Sequence, residues 1–239
     1  MVKFISSLLF AGLWTFTFAG DLTGTVNYDG KIPKKKILRM DSDPVCNSAH
    51  SEAVYKQSFV VDENGNLANV LVYIKSISSD SAPSEIAILD QNGCMYSPHV
   101  FGVQVGQEIK ILNSDPTMHN IHGLPKVNKE FNFGMPKTVK EKTIKFDKVE
   151  DIFVVKCDVH PWMKSYVQVF DHPFFAITDA KGQFTIKDIP PGEYEVIAWQ
   201  EKFGSKRTLT RTVKIGDQAT TNTKSSNSIL DFTFKRPQK

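Results

Sequence analysis

With 239 residues, 41% hydrophobic and 11% aromatic, the chain can build one large domain or two small ones with cores of their own. That composition excludes a disordered chain and a disulfide miniprotein. Its 29 basic and 26 acidic residues leave a net charge of +3, which gives no case for nucleic acid, and Lys34-Lys35-Lys36 reads as a solvated strand edge or loop.

Met1-Val2-Lys3 is a short positive start, followed by an uncharged apolar stretch from Phe4 to Phe18. Thr17 and Ala19 put small residues before a cut ahead of Gly20 or Asp21. This is the pattern of a secretory signal peptide over 1–19, and its apolar run of about 15 residues is short for a membrane span. The mature chain is expected to be exported, to a periplasm or out of the cell, with no membrane span.

The rest reads as β. Branched or alternating apolar runs are predicted as strands at 22–28, 70–74, 100–105, 108–112, 152–155, 166–170, 194–199, 210–215 and 230–234. Turn chemistry separates them: Asn64-Gly65, Asn92-Gly93, Ala180-Lys181-Gly182 and Pro190-Pro191-Gly192. A short helix is predicted near 48–56, and a loop over 220–228. The fold class is all-β, with sandwiches as its form.

The chemistry concentrates in Lys156-Cys157-Asp158-Val159-His160-Pro161-Trp162-Met163, between two predicted strands. A thiolate, an imidazole and a thioether lie on one loop. A second imidazole comes from the segment 113–122, where His119 and His122 are both open on the residues alone. Two imidazoles and a thiolate with a weak axial thioether form an electron-transfer copper site, whereas zinc seldom recruits methionine. Taken singly, Cys157 reads as a buried strand-end thiol, Met163 as core and His160-Pro161 as a turn.

Three cysteines remain in an oxidising compartment, an odd count that leaves one thiol over. Cys46 and Cys94 each sit at a turn and are expected to form a disulfide. His99, five positions after Cys94, raises a second metal site near Met135, against the alternative of a strand histidine beside a structural cysteine. His50 and His172 read as loop histidines.

Residues 84–170 resemble the cupredoxins, the plastocyanin and amicyanin family, and the ligand loop is most similar to that of amicyanin. The resemblance also rests on Tyr96-Ser97-Pro98, Val103-Gln104-Val105-Gly106-Gln107, and Asn113 before His119-Asn120. It implies a Greek-key sandwich holding one copper ion through His119, Cys157, His160 and Met163. It further implies that Asn120 fixes the sulfur-bearing loop, and that His160 is the solvent-facing electron exit. Trp162 beside it reads either as an exposed docking patch or as packing of the loop against the neighbouring module. Val159 departs from the family's frequent proline. Residues 21–83 with 171–239 resemble a carboxypeptidase regulatory-like, prealbumin-type sandwich, next to or interrupted by the copper segment. The expected function is electron transfer with a redox partner protein, not catalysis, since a closed four-ligand site has no position for substrate. The alternative is a copper-binding or delivery protein.

Overall fold

The computed structural model describes residues 19–83, 85–216 and 228–236. All of the predicted signal segment except Ala19 lies outside the described residues, as does the predicted loop over 220–228 except Ser228. The chain is all-β, built as sandwiches of paired sheets. Among the described residues no helix is long and apolar enough to cross a membrane.

One sandwich takes the middle of the chain. Its five-stranded sheet runs Phe131–Met135, His119–Gly123, Glu150–Lys156, Lys164–Phe170 and Val100–Gln104. Its four-stranded sheet runs Glu141–Ile144, Ile109–Asn113, Ala87–Asn92 and Met95–Ser97. Each sheet contains a parallel pair. A tight hairpin cannot join parallel strands, so the chain must cross between sheets. Along Ile109–Asn113 the side chains alternate between buried and half-buried, as expected when one face meets a core and the other meets water. Leu89, Tyr96, Ile111, Ile121, Phe153 and Val167 fill that core.

A second sandwich is made from both ends of the chain. Leu71–Ile74 pairs with Gly192–Trp199 and with Phe175–Ile177, and Gly20–Asp29 pairs with Gln183–Ile189. Leu22, Val26, Val72, Ile186, Val196 and Phe232 share one core. The chain thus leaves this sandwich after Ile74 and rejoins it at Phe175. One stretch departs from the expected partition. Leu38, Met40, Cys46 and Val54, assigned above to the outer sandwich, pack on the core of the inner one.

The two sandwiches meet over Leu71, Val100, Phe170 and Trp199, with Tyr166 and Phe175 packed against them. Gly102 is required at this seam: a Cβ there would stand 2.6 Å from the Phe175 ring, which is itself stacked on Phe170. Across the same seam the His99 imidazole bonds Glu201 at 2.8 Å.

The short helix lies at Pro44–Ser48, upstream of the 48–56 expected from sequence. Asp43 decides this. Its Oδ1 accepts from the N–H groups of Val45 and Cys46, and Pro44 opens the first turn, where its missing N–H costs nothing. Cys46 forms a disulfide with Cys94, Cα to Cα 5.5 Å. Closing a loop 48 residues apart contributes about 3–4 kcal/mol on the chain-entropy model. Cys46→Ser with Cys94→Ser is therefore expected to lower the unfolding free energy from urea titration by about that amount; an unshifted midpoint would show that the tether adds nothing.

Candidate metal centre

Three donor-bearing side chains converge at one end of the inner sandwich. The ligand atoms of His119, Cys157 and His160 all lie within 4.8 Å of one another, and all three residues are buried. The Nδ1 atoms of the two imidazoles are 2.9 Å apart, and Cys157 Sγ is 3.9 Å from His160 Nδ1.

His119 opens the strand His119–Gly123. The Asn113 amide, itself buried, donates to Thr117 O at 3.1 Å and to Met135 O at 2.8 Å, which fixes the turn leading into that strand. Strand parity then separates the two histidines that the sequence left open. Side chains alternate faces, so His119 joins Ile121 on the core side and His122 takes the other. There His122 bonds Asp158 at 2.8 Å and Glu130 at 3.0 Å, and these carboxylates raise its pKa.

Cys157 ends the strand Glu150–Lys156, and the loop after it is closed on itself. The Met163 N–H donates to His160 O, and the Cys157 N–H donates to Met163 O. Met163 is buried on this loop. The sulfur accepts from the N–H of Asn120 at 3.5 Å and of His160 at 3.3 Å. The Asn120 side chain also bonds the Asp158 N–H and the Asn132 amide, the loop-fixing bonds expected of it.

Two carboxylates orient the imidazoles. Asp115 Oδ2 accepts from His119 Nε2 at 2.8 Å, and Asp43 Oδ2 from His160 Nε2 at 3.0 Å. Both carboxylates are held in turn by backbone N–H groups, Asp115 by those of Gly93 and Cys94, Asp43 by those of the capped helix. With each Nε2–H committed to a carboxylate, both Nδ1 atoms present a lone pair to the same point. Two lone pairs 2.9 Å apart repel unless a cation lies between them. Without metal, a proton serves. Burial works to lower the His119 pKa, but the Asp115 carboxylate and Cys157 outweigh it and raise it to about 9. Burial likewise works to raise the Cys157 pKa, and His119 with the backbone N–H groups of Asn120, His160 and Val159 brings it below the usual thiol value. Asp115 is held low by His119 and the Cys94 and Gly93 N–H groups, against the opposing effect of burial.

The donor types, two imidazoles and a thiolate, suit copper, and a shift of a few tenths of an ångström would seat an ion among them. Metal–nitrogen and metal–sulfur bonds of about 2.0 and 2.3 Å place donors roughly 3.3–3.8 Å apart around a shared centre. The observed 2.9 and 3.9 Å fall on either side of that range.

One expectation changes, and the alternatives left open for Trp162 and His99 are decided. His160 is not solvent-facing: it is 2% exposed, because Asp43 and the disulfide lie over it, with Cys46 Sγ 3.6 Å from its Nε2. Trp162 is half-buried, nearer the packing alternative than the docking patch. Its indole N–H donates to Cys94 O at 3.0 Å, and its ring lies 5.0 Å from that of His160, while Pro161 stays in solvent. The second metal site near His99 does not form, since Cys94 is in the disulfide and His99 is taken by Glu201 and Lys164 O. His172 lies in the loop after Phe170, as expected, but is buried between Phe170 and Phe174, and burial lowers its pKa.

Asp43 and Asp115 were missed in the sequence reading. Asp115, four residues before His119, was within reach of local inspection. Asp43 stands 117 residues from His160, in what reads only as a helix cap.

Parts of the chain are similar to known proteins. A family model described as polysaccharide lyase family 4, domain II, matches residues 153–223, well under half of the chain. No curated protein matches. Among solved structures, a copper-containing nitrite reductase from Thermus scotoductus SA-01 aligns at 20% identity and TM-score 0.32, over 41% of this chain and 25% of that one. This chain therefore spans about a quarter of that enzyme's length. A Cu(I) form of an amicyanin variant aligns at 20% identity, and an oxidized amicyanin variant at 21%. Both have a TM-score of 0.32 over 41% of this chain and 98% of theirs. At that level the likeness says nothing of ligands or activity.

Proposed function

We propose that this chain is an exported cupredoxin-like protein that binds one copper ion through His119, Cys157, His160 and Met163 and passes single electrons to and from a redox partner protein. The observation that carries the reading is the pair of carboxylate-oriented imidazoles whose Nδ1 atoms meet 2.9 Å apart beside the buried Cys157 sulfur. Copper bound there would supply a one-electron redox centre. The chain's own residues do the rest. Asp115 and Asp43 hold the rings in one tautomer and one orientation. Two backbone N–H groups on the sulfur offset part of its charge. Met163, buried on the same loop, stands as the fourth and weakest donor. The three convergent donors are 2% exposed or less, which keeps water and substrates away and favours electron transfer over catalysis or ligand exchange.

The signal pattern supports export, and the disulfide suits an oxidising compartment. With His160 covered, electrons would leave through its neighbours, and the Trp162 ring is in contact with it. Adding Cu(II) to the purified mature protein is expected to develop an intense visible thiolate-to-copper band that saturates at about one copper per chain. A colourless protein, or saturation at two or more, overturns the reading.

A further inference from the structure

A cavity of about 200 Å³ lies at the seam between the two sandwiches, apart from the converging donor atoms but bordering Trp162 and Met163. Leu38, Met95 and Trp162 supply apolar lining. Lys56, Lys164 and Lys202, all exposed, line it too, and none of them has an ion pair among the described residues. The acid at the rim, Glu201, is already engaged: His99 Nε2 bonds it at 2.8 Å. His99 also turns Nδ1 toward Lys164 O at 3.1 Å, so this clamp is engaged on both sides. Three lysines against one carboxylate leave the lining net positive, and the Trp162 indole is held by its bond to Cys94 O and its contact with the His160 ring.

We propose that this cleft binds a small anionic aromatic molecule, a single-ring carboxylate. The three lysines attract the carboxylate, and Trp162, Met95 and Leu38 cover the ring. Size sets the limit of one ring: an apolar cavity of about 150 Å³ accepts benzene, so about 200 Å³ leaves room for one small substituent. Ring against indole and ring beside thioether are both favourable contacts. His119, Cys157 and His160 do not line the cleft, so its occupancy can be tested without metal.

The test uses the full mature chain without metal, titrated with 4-hydroxybenzoate and followed by two-dimensional NMR. Saturable shifts are expected at the Trp162 indole N–H and at Lys202, with the neutral 4-hydroxybenzamide binding about tenfold more weakly. Lys56→Glu and Lys202→Glu are each expected to weaken 4-hydroxybenzoate binding by about tenfold while leaving the rest of the spectrum in place. Shifts confined to other surfaces, equal binding of the amide, or variants that bind as well as the parent overturn the proposal. So does an acidic peptide that shifts the same signals when 4-hydroxybenzoate does not, because the lysines would then be a protein contact.

Discussion

Cys157→Ser is expected to remove the visible band completely and to weaken copper binding by at least about a hundredfold. A serine hydroxyl does not ionise near neutral pH, so the charge-transfer donor and the one anionic ligand vanish together. The pocket around the sulfur is built for an anion. Backbone N–H groups of Asn120 and His160 point at it from 3.5 and 3.3 Å, and His119 lowers its pKa. Serine is close in volume and can accept the same two N–H groups, so the fold is expected to survive, which the NMR spectrum of the variant checks. The assignment is clean because Cys157 is the free cysteine and Cys46 and Cys94 are bonded to each other. Alkylation of the unfolded, unreduced parent should therefore label one thiol, and of the variant none. A variant that keeps its colour would place the chromophore elsewhere and sink the ligand set.

Much of the scaffold was legible because a strand with one wet face writes its period into the sequence. The strand Ile109–Asn113 and the strand Lys164–Phe170 fall close to where alternation and branched residues put them. Strands that lack that signal were missed. Glu141–Ile144 is polar and mostly exposed at a sheet edge, so nothing in its composition separates it from a loop. Phe131–Met135, also an edge strand, is divided by Asn132 and Gly134. The helix lies upstream of its expected place because Asp43 caps it and Pro44 opens its first turn, two residues whose types suit a turn equally well. At the site, the donor residues were legible from their types and spacing, but their surroundings were not. Parity along His119–Gly123 would have separated His119 from His122 had that strand been recognised. The burial of His160 was beyond reach, since it depends on a disulfide and a carboxylate that arrive from a distant part of the chain.

Those two carboxylates give the second large effect. Asp115→Asn and Asp43→Asn are each expected to lower copper affinity by about 10–100-fold, measured by competition with a chelator of known affinity. The amide keeps the shape and can still accept a hydrogen bond from Nε2, but it no longer makes the ring more basic through its charge. The two should differ. Asp115 is 5% exposed and accepts from Gly93, Cys94 and His119 at once, so an amide there turns one NH2 toward a backbone N–H or toward His119. That mismatch is buried, and a buried unpaired donor is costly. The Asp43 side chain is 23% exposed, and water can screen its charge and solvate an amide proton. Asp115→Asn is therefore expected at the upper end of the range and Asp43→Asn at the lower. The two carboxylates are linked through Cys46–Cys94, because Asp43 caps the helix that carries Cys46 and Asp115 holds the Cys94 N–H. Opening the disulfide with Cys46→Ser and Cys94→Ser should loosen Asp43 and so make a further Asp43→Asn change cost less than it does in the parent, a non-additivity that a double-mutant cycle reads directly. Strict additivity would mean that Asp43 is held by its helix cap alone. Affinity unchanged in both Asp→Asn variants would mean that the carboxylates serve the fold, and the two imidazoles would then need another reason to face each other.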